Sequence, residues 1–293
     1  MSESPSFDAS STAEEVTAGL DLSGTTWLIT GCNSGLGHES ARVLALRGAS
    51  IVGLARTKAK ADAALAELGI DGVGVACELS DLGSVRAAVE AVSALGPLDG
   101  ILANAGIMAL PELQQVHGYE LQFFTNHVGH HVLITGLLDR LTDTGRVVVL
   151  SSGAHYYAKP GMELENLDGA TDYDPWRMYG RSKLANILFT RALSKRLEGT
   201  GKTANSLHPG VIDTNLGRHV PDRVEMYESM KDILKTVAQG AATQCYVAAR
   251  PELAGVSGVY FSDCAPAKTL NHAKDDALAE ALWERTEAIA AAL

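Results

Sequence analysis

Cysteine is scarce and scattered in this chain. Its 293 residues hold four, Cys32, Cys77, Cys245 and Cys264, with no Cys-x-x-Cys pair. At this length that pattern excludes a disulfide framework and a thiolate zinc site, and reduced thiols of a cytoplasmic protein are expected. A basic excess is also missing: the net charge is −11 and the pI about 5.3. That excludes the concentrated positive footprint of a nucleic-acid surface or an anionic membrane face. No uninterrupted apolar run reaches transmembrane length, and the opening Met-Ser-Glu-Ser-Pro-Ser-Phe-Asp has no basic-then-apolar leader. No linker, internal repeat or low-complexity tract divides the chain beyond its first residues. What remains is a soluble protein with a small-molecule partner, long enough to bury roughly three quarters of its unfolded surface.

What the sequence does contain is alternation. From Thr25 onward, short β-branched or apolar runs alternate with longer helical patterns, the signature of βαβ units. Strands are predicted near 25–30, 50–55, 72–77, 98–103, 145–151, 202–207 and 257–262. Most are continuous apolar runs, as a sheet covered on both faces requires. The expected fold is α/β, a doubly wound Rossmann-type parallel sheet of seven strands in one domain, residues 23–293. Residues 1–22, rich in Ser, Thr and Glu, are expected to form a mobile or loosely docked arm whose end Val16 and Leu20 can pin. Residues 153–175 form a long connection carrying His155, Tyr156 and Tyr157. Residues 215–238 place Val224, Tyr227, Met230, Ile233, Leu234 and Val237 at helical spacing. The first is expected to supply a substrate wall and the second a helical lid.

Tyr179 and Lys183 stand four residues apart before an apolar stretch through Leu184, Ile187 and Leu188, so a helix sets phenol and ammonium side by side. Bringing a tyrosine from a pKa of about 10 toward neutrality takes roughly 3 to 4 kcal/mol. A lysine charge about 5 Å away at an effective dielectric near 20 supplies about 3 kcal/mol. The pair is therefore a candidate acid/base.

Immediately after the first strand, Thr30-Gly31-Cys32-Asn33-Ser34-Gly35-Leu36-Gly37 leads into a helical pattern. Glycines there allow a tight turn and close backbone approach, and the amides at the helix start offer donors to a pyrophosphate. About twenty residues on, the end of the second strand is where a dinucleotide fold reads the ribose, with an acid for NAD or a cation for a 2′-phosphate. Here it reads Gly53-Leu54-Ala55-Arg56-Thr57-Lys58, with two cations and no acid. NADP(H) is expected over NAD(H), with Arg56 as its reader.

Thr30-Gly-x3-Gly-x-Gly37, Asn104-Ala105-Gly106, Asn126, Ser151-Ser152, Tyr179-x3-Lys183 and Pro209-Gly210, in this order over roughly residues 23–265, resemble the short-chain dehydrogenase/reductase family. Leu-Ser-Ser-Gly-Ala-His, Tyr-Gly-Arg-Ser-Lys-Leu-Ala-Asn and Leu-His-Pro-Gly-Val resemble its retinol-dehydrogenase and WW-domain oxidoreductase branch, as does the wide spacing between Ser152 and Tyr179. The resemblance implies that Tyr179 is the acid/base, that Lys183 lowers its pKa and holds the nicotinamide ribose, and that Ser152 bonds the reacting oxygen. It implies that Asn126 anchors a proton-relay water. It assigns the cofactor to Gly31, Asn33, Ser34, Gly35, Leu36, Gly37, Arg56, Asn104, Ala105, Gly106, Tyr179, Lys183, Pro209, Gly210 and Thr214. Glu78 stands where many members carry an Asp against the adenine. Dimers and tetramers are common among similar proteins.

Substrate contact is expected from Ser152, Tyr179, His155 and Tyr156. His127, His130 and His131 lack a third ligand nearby, so no metal is expected and the three are read as packing around Asn126. The run 277–293 reads as an amphipathic helix covering the fold or a partner subunit. The function expected is hydride transfer between NADP(H) and a bulky lipophilic ketone, aldehyde or alcohol. The alternatives are a non-catalytic NADP(H) sensor and a sugar-nucleotide epimerase or dehydratase. The latter class usually carries a differently spaced glycine turn and a longer C-terminal substrate region.

Overall fold

The computed structural model describes residues 6–293. Its central sheet is built from β1 (Thr26–Thr30), β2 (Ser50–Ala55), β3 (Val73–Ala76), β4 (Leu98–Ala103), β5 (Leu141–Leu150), β6 (Thr203–His208), β7 (Tyr260–Ser262) and β8 (Ala265–Pro266). The spatial order is β3-β2-β1-β4-β5-β6-β7-β8, parallel throughout except for the last pair. The seven expected strands are present. The eighth was missed because it is two residues long and made by a hairpin through Asp263 and Cys264, both with positive φ.

Both faces of the sheet are buried, which explains the unbroken apolar runs. Along β5, Val147 and Val149 face one core while Val148 and Leu150 face the other. The first core lies under α4 (Leu82–Ser93), α5 (Gly129–Leu137), α6 (Pro175–Arg196) and α9 (Asp276–Ala292); the second lies under α2 (Gly35–Leu46), α3 (Lys58–Glu67) and α8 (Ala242–Ala249). Truncating a fully buried residue such as Leu133 to Ala is expected to cost about 2–5 kcal/mol.

α9 covers its own fold rather than standing free. Trp283 stacks on Phe189 of α6 with ring centroids 5.5 Å apart, and the Arg196 guanidinium lies 4.0 Å over Trp283. His127 and His131 reach the same helix, at Thr286 and Glu287.

The N-terminal segment is docked over its described part, where a loose arm was expected; residues 1–5 lie outside the described residues. A one-turn helix, α1 (Ala13–Val16), starts at a Thr12/Glu15 capping box and buries Ala13 and Val16 completely. Arg42 of α2 bonds Glu14, and Arg47 bonds Thr17. Leu20 is only half-buried. Among the described residues no helix is long and apolar enough to cross a membrane.

Candidate active site

One large cavity, about 1430 Å³, opens at the carboxyl ends of β1, β4, β5 and β6. This is where an open α/β sheet offers a crevice to ligands. Its floor is made by the turn after β1. Gly31 and Gly35 both have positive φ, and a Cβ on Gly31 would stand 3.1 Å from Asn104 Nδ2. Gly37 has a different role from the expected ligand contact. It does not line the cavity, and a Cβ there would lie 2.4 Å from the Gly31 carbonyl oxygen, so it lets helix and turn close together. Asn33, Ser34, Leu36, Arg56, Asn104, Ala105, Gly106, Pro209, Gly210 and Thr214 all line the cavity. Cys32 is buried beside Gly53, and burial pushes its thiol up to about 11, so it fills space. The Glu78 carboxylate turns back onto Ser80, accepting from its hydroxyl at 2.9 Å.

α6 begins at Asp174, whose carboxylate accepts from the Arg177 amide at 2.7 Å, with Pro175 in the first turn. It runs through the interior, burying every residue from Met178 to Thr190. Tyr179 lies at the cavity wall with Trp176 edge-on to its ring, and Lys183 Nζ is 5.6 Å from the ring centroid. Burial raises the Tyr179 pKa above its ordinary value, with the Ser152 side chain working in the opposite direction. Burial lowers Lys183 to about 8. Taking either group out of water favours its neutral form, and burial is the leading cause of both shifts. Lys183 Nζ donates to the Leu150 carbonyl at 3.2 Å.

Ser152 follows β5 and caps a 3₁₀ turn, Gly153–Tyr157, its Oγ accepting from the Ala154 amide at 3.1 Å. Both lie on the cavity. Asn126 does not line the cavity. It sits in a π-helical turn, Phe124–Val128, where both amide hydrogens are used and the oxygen keeps one lone pair over: Oδ1 accepts from Ile107 N, and Nδ2 donates to Ile107 O and Ser182 Oγ, all within 2.8–2.9 Å. A Cβ on Gly106 would meet Asn126 Oδ1 at 3.0 Å, closer than side chains usually pack, and Lys183 Nζ at 3.6 Å, an ordinary contact.

His155 and Tyr156 are corrected as substrate contacts. His155 is wholly buried, Nδ1 donating to the Ser152 carbonyl at 2.7 Å and Nε2 accepting from the Leu270 amide at 3.1 Å. Tyr156 points outward and bonds the Lys268 carbonyl. A tight turn after the serine sends these side chains away from the cavity and brings Tyr157 to it. The apolar wall comes from Met108, Leu110, Tyr157, Trp176, Leu216 and Met230. Met108 and Leu110 carried no motif that would have marked them. His208, just before Pro209-Gly210, also lines the cavity, and its Nδ1 accepts from Gly153 N at 3.0 Å.

The roof is not the continuous helix that the apolar spacing suggested. Residues 215–238 break into a 3₁₀ turn (Asn215–His219), α7 (Arg223–Ser229), a second 3₁₀ turn (Lys231–Ile233) and a short strand, Leu234–Lys235, beside Val211–Ile212. Tyr227 is buried, whereas Val224 is 81% exposed and Ile233 61%.

The family model described as short chain dehydrogenase matches residues 25–164. The chain is 41% identical to short-chain dehydrogenase TIC 32 B, chloroplastic, of Brassica napus over 95% of its length and 92% of that protein. It is 39% identical to human retinol dehydrogenase 14 over 91% of its length and 86% of that protein. Among solved structures, a short chain dehydrogenase from Burkholderia cenocepacia in complex with NADP superposes with a TM-score of 0.67, at 26% identity, covering 82% of this chain and 96% of the other. Identity at this level across most of the sequence, on a fold whose cavity gathers Ser152, Tyr179 and Lys183 beside a glycine turn, means that the chain belongs to the short-chain dehydrogenase/reductase family of oxidoreductases.

Proposed function

We propose that this protein transfers hydride between NADP(H) and a bulky lipophilic carbonyl compound or the corresponding alcohol. One observation carries the reading: a buried tyrosine stands at the wall of a cavity of about 1430 Å³, between a serine hydroxyl and a lysine one helical turn away. A binding protein has no use for an acid/base at that place.

The chain's own groups fit a dinucleotide. The tight approach of Gly31 to Asn104 leaves bare backbone along the floor, and α2 begins there at Gly35. Arg56 lines the far end with no carboxylate in Gly53–Lys58, which favours a 2′-phosphate over a bare ribose hydroxyl. The NADP complex of the Burkholderia relative supports the same choice. Bound there, the nicotinamide supplies the hydride.

In the reducing direction Tyr179 gives its phenolic proton to the carbonyl oxygen. Its raised pKa keeps that proton in place until negative charge develops on the acceptor. Ser152 Oγ accepts from the Ala154 amide and keeps its own hydrogen free to donate to the same oxygen. Lys183, with one hydrogen on the Leu150 carbonyl, has two more for ribose hydroxyls and the phenolate. Met108, Leu110, Trp176, Leu216 and Met230 make a wall suited to a lipophilic body.

The test is NADPH consumption across ketones and aldehydes graded from acetone-sized to bulky aryl, with NADH in parallel. Turnover that rises with substrate bulk and favours NADPH is expected. Arg56→Ala should erase about ten- to a hundredfold of that preference, the worth of one charged hydrogen bond. Equal rates with both cofactors in the wild type would remove the NADP assignment, and no gain with bulk would remove the lipophilic one.

A further inference from the structure

His130 lies in α5 one turn after Asn126, is 2% exposed and has no part in the reaction as described above. Its two ring nitrogens are both engaged. Nδ1 is 3.0 Å from the Asn126 carbonyl oxygen, and because a carbonyl only accepts, Nδ1 carries the hydrogen. Nε2 is 2.9 Å from Thr30 Oγ1. Burial, with Lys183 as the charged neighbour, lowers the ring to about 4, so it is neutral near physiological pH and Nε2 accepts the Thr30 hydrogen. Thr30 Oγ1 in turn accepts from Asn104 N at 2.9 Å and Ala105 N at 3.0 Å, which uses its one donor and both lone pairs. Asn104 Nδ2 closes the set on the Thr30 carbonyl at 2.9 Å.

A single directed chain of hydrogen bonds thus runs from the π-helical turn holding Asn126, through an imidazole, to the ends of β1 and β4 under the cavity floor. We propose that His130, as the Nδ1–H tautomer, is a positioning residue that locks the Asn126 turn beside Lys183 to the cofactor floor at Thr30 and Asn104. The proposal rests on the oxidoreductase reading for its kinetic consequence, but not for the bond pattern. Cofactor floor and acid/base cluster belong to distant stretches of sequence, and Thr30 and His130 are 100 positions apart. The imidazole is the piece long enough, with a donor on one edge and an acceptor on the other, to hold them in one register.

Two variants separate the bonds. His130→Asn places an amide N–H where Nδ1–H was and keeps the Asn126 contact. His130→Gln reaches toward Thr30 and loses it. His130→Leu loses both. His130→Leu is expected to lower kcat by about tenfold or more and to displace the pH dependence of kcat, the loss of one buried hydrogen bond at the acid/base cluster. The Asn variant should regain most of kcat and the wild-type pH profile. The Gln variant should regain NADPH affinity, read by fluorescence titration, but not kcat. If the Asn and Gln variants behave alike, or all three lower only the melting temperature with an unchanged pH profile, His130 is merely structural and the proposal is wrong. Imidazole ¹⁵N NMR of the wild-type protein is independent of turnover. It should show protonated Nδ1 and bare Nε2 for His130, with the Nε2 signal moved by Thr30→Val. An Nε2–H tautomer would overturn the assignment. A protein that shows the Nδ1–H tautomer yet reduces no carbonyl would sink the oxidoreductase reading and leave the bond pattern standing.

Discussion

The floor and the roof of the cavity are made of different material. The floor is strand ends, a glycine turn and a helix with hardly an exposed residue in its first four turns, bound together by Thr30, Asn104, Asn126, His130 and Lys183. The roof is two 3₁₀ turns, a helix of seven residues opening at Asp222 in the left-handed region, and a two-residue strand pair, with Tyr227 as its buried anchor. Rigidity is spent where atoms must meet within a fraction of an ångström, and looseness where substrates of varied shape must enter. Changes to the floor should therefore be felt in stability and chemistry together, and changes to the roof in substrate choice alone.

The strongest break in that contrast comes from Lys183. Its ammonium titrates at about 8 in the fold against an ordinary 10.5, so the unfolded chain holds the proton more tightly. Below pH 8 the buried charge costs stability on the order of 3 kcal/mol, a cost relieved as pH rises from 8 toward 10.5. Lys183→Met should accordingly raise the melting temperature at pH 7 while lowering turnover by roughly a hundredfold or more. A variant that is both inactive and less stable would mean that the charge is paired in the fold.

Next in size is acid destabilisation from His130, whose ordinary value of 6.5 falls to about 4 on burial. The unfolded state binds the proton first, so stability is complete above pH 6.5 and drains away as pH falls toward 4. By pH 5 this group alone should have removed roughly 2 kcal/mol. Burial also lowers His127 and His208, so the contribution of His130 is read from the difference between wild-type and His130→Leu melting curves from pH 7.5 to 5, the variant showing the shallower slope.

Gly37→Ala comes third. Its Cβ would press on the Gly31 carbonyl oxygen and on Asn104 Nδ2, both part of the rigid floor, and an overpacked site of this kind costs about 1–3 kcal/mol. Cofactor titration should weaken along with thermal stability. The smallest effect belongs to the roof: Val224→Ser should leave stability within about 0.5 kcal/mol, since the side chain is 81% exposed. Tyr227→Ala, which removes the roof's anchor, should raise KM for bulky carbonyls with little change in kcat for small ones.

The same division governed what could be read from sequence. Tyr179, Lys183, Ser152 and the turn after β1 are legible because each motif is short and its function depends on local spacing. The seven parallel strands are legible because most are continuous apolar runs, which leave few alternatives. The roof defeated the reading because apolar periodicity continues past Ser229, yet the chain leaves the helix to pair Leu234 with Val211, a contact that no local pattern encodes. Likewise, nothing near His130 announces Thr30. His155 and Tyr156 were misplaced because a 3₁₀ turn advances side chains by about 120° per residue: Ala154 and Tyr157, three apart, share the face on the cavity, and the two residues between them point elsewhere. Docking of the N-terminal segment depends on Arg42 and Arg47, which are visible as charges but not as partners of Glu14 and Thr17.

Deuterium tracing with NADPH labelled at the transferable position, a bulky aryl ketone and purified protein, with Tyr179→Phe alongside, reads the chemistry most directly. Deuterium on the carbinol carbon of the wild-type product, and its disappearance in a Tyr179→Phe variant that still binds NADPH, is the expected result. An unlabelled product, or a Tyr179→Phe protein that transfers deuterium as fast as the wild type, would contradict hydride transfer assisted by a tyrosine acid.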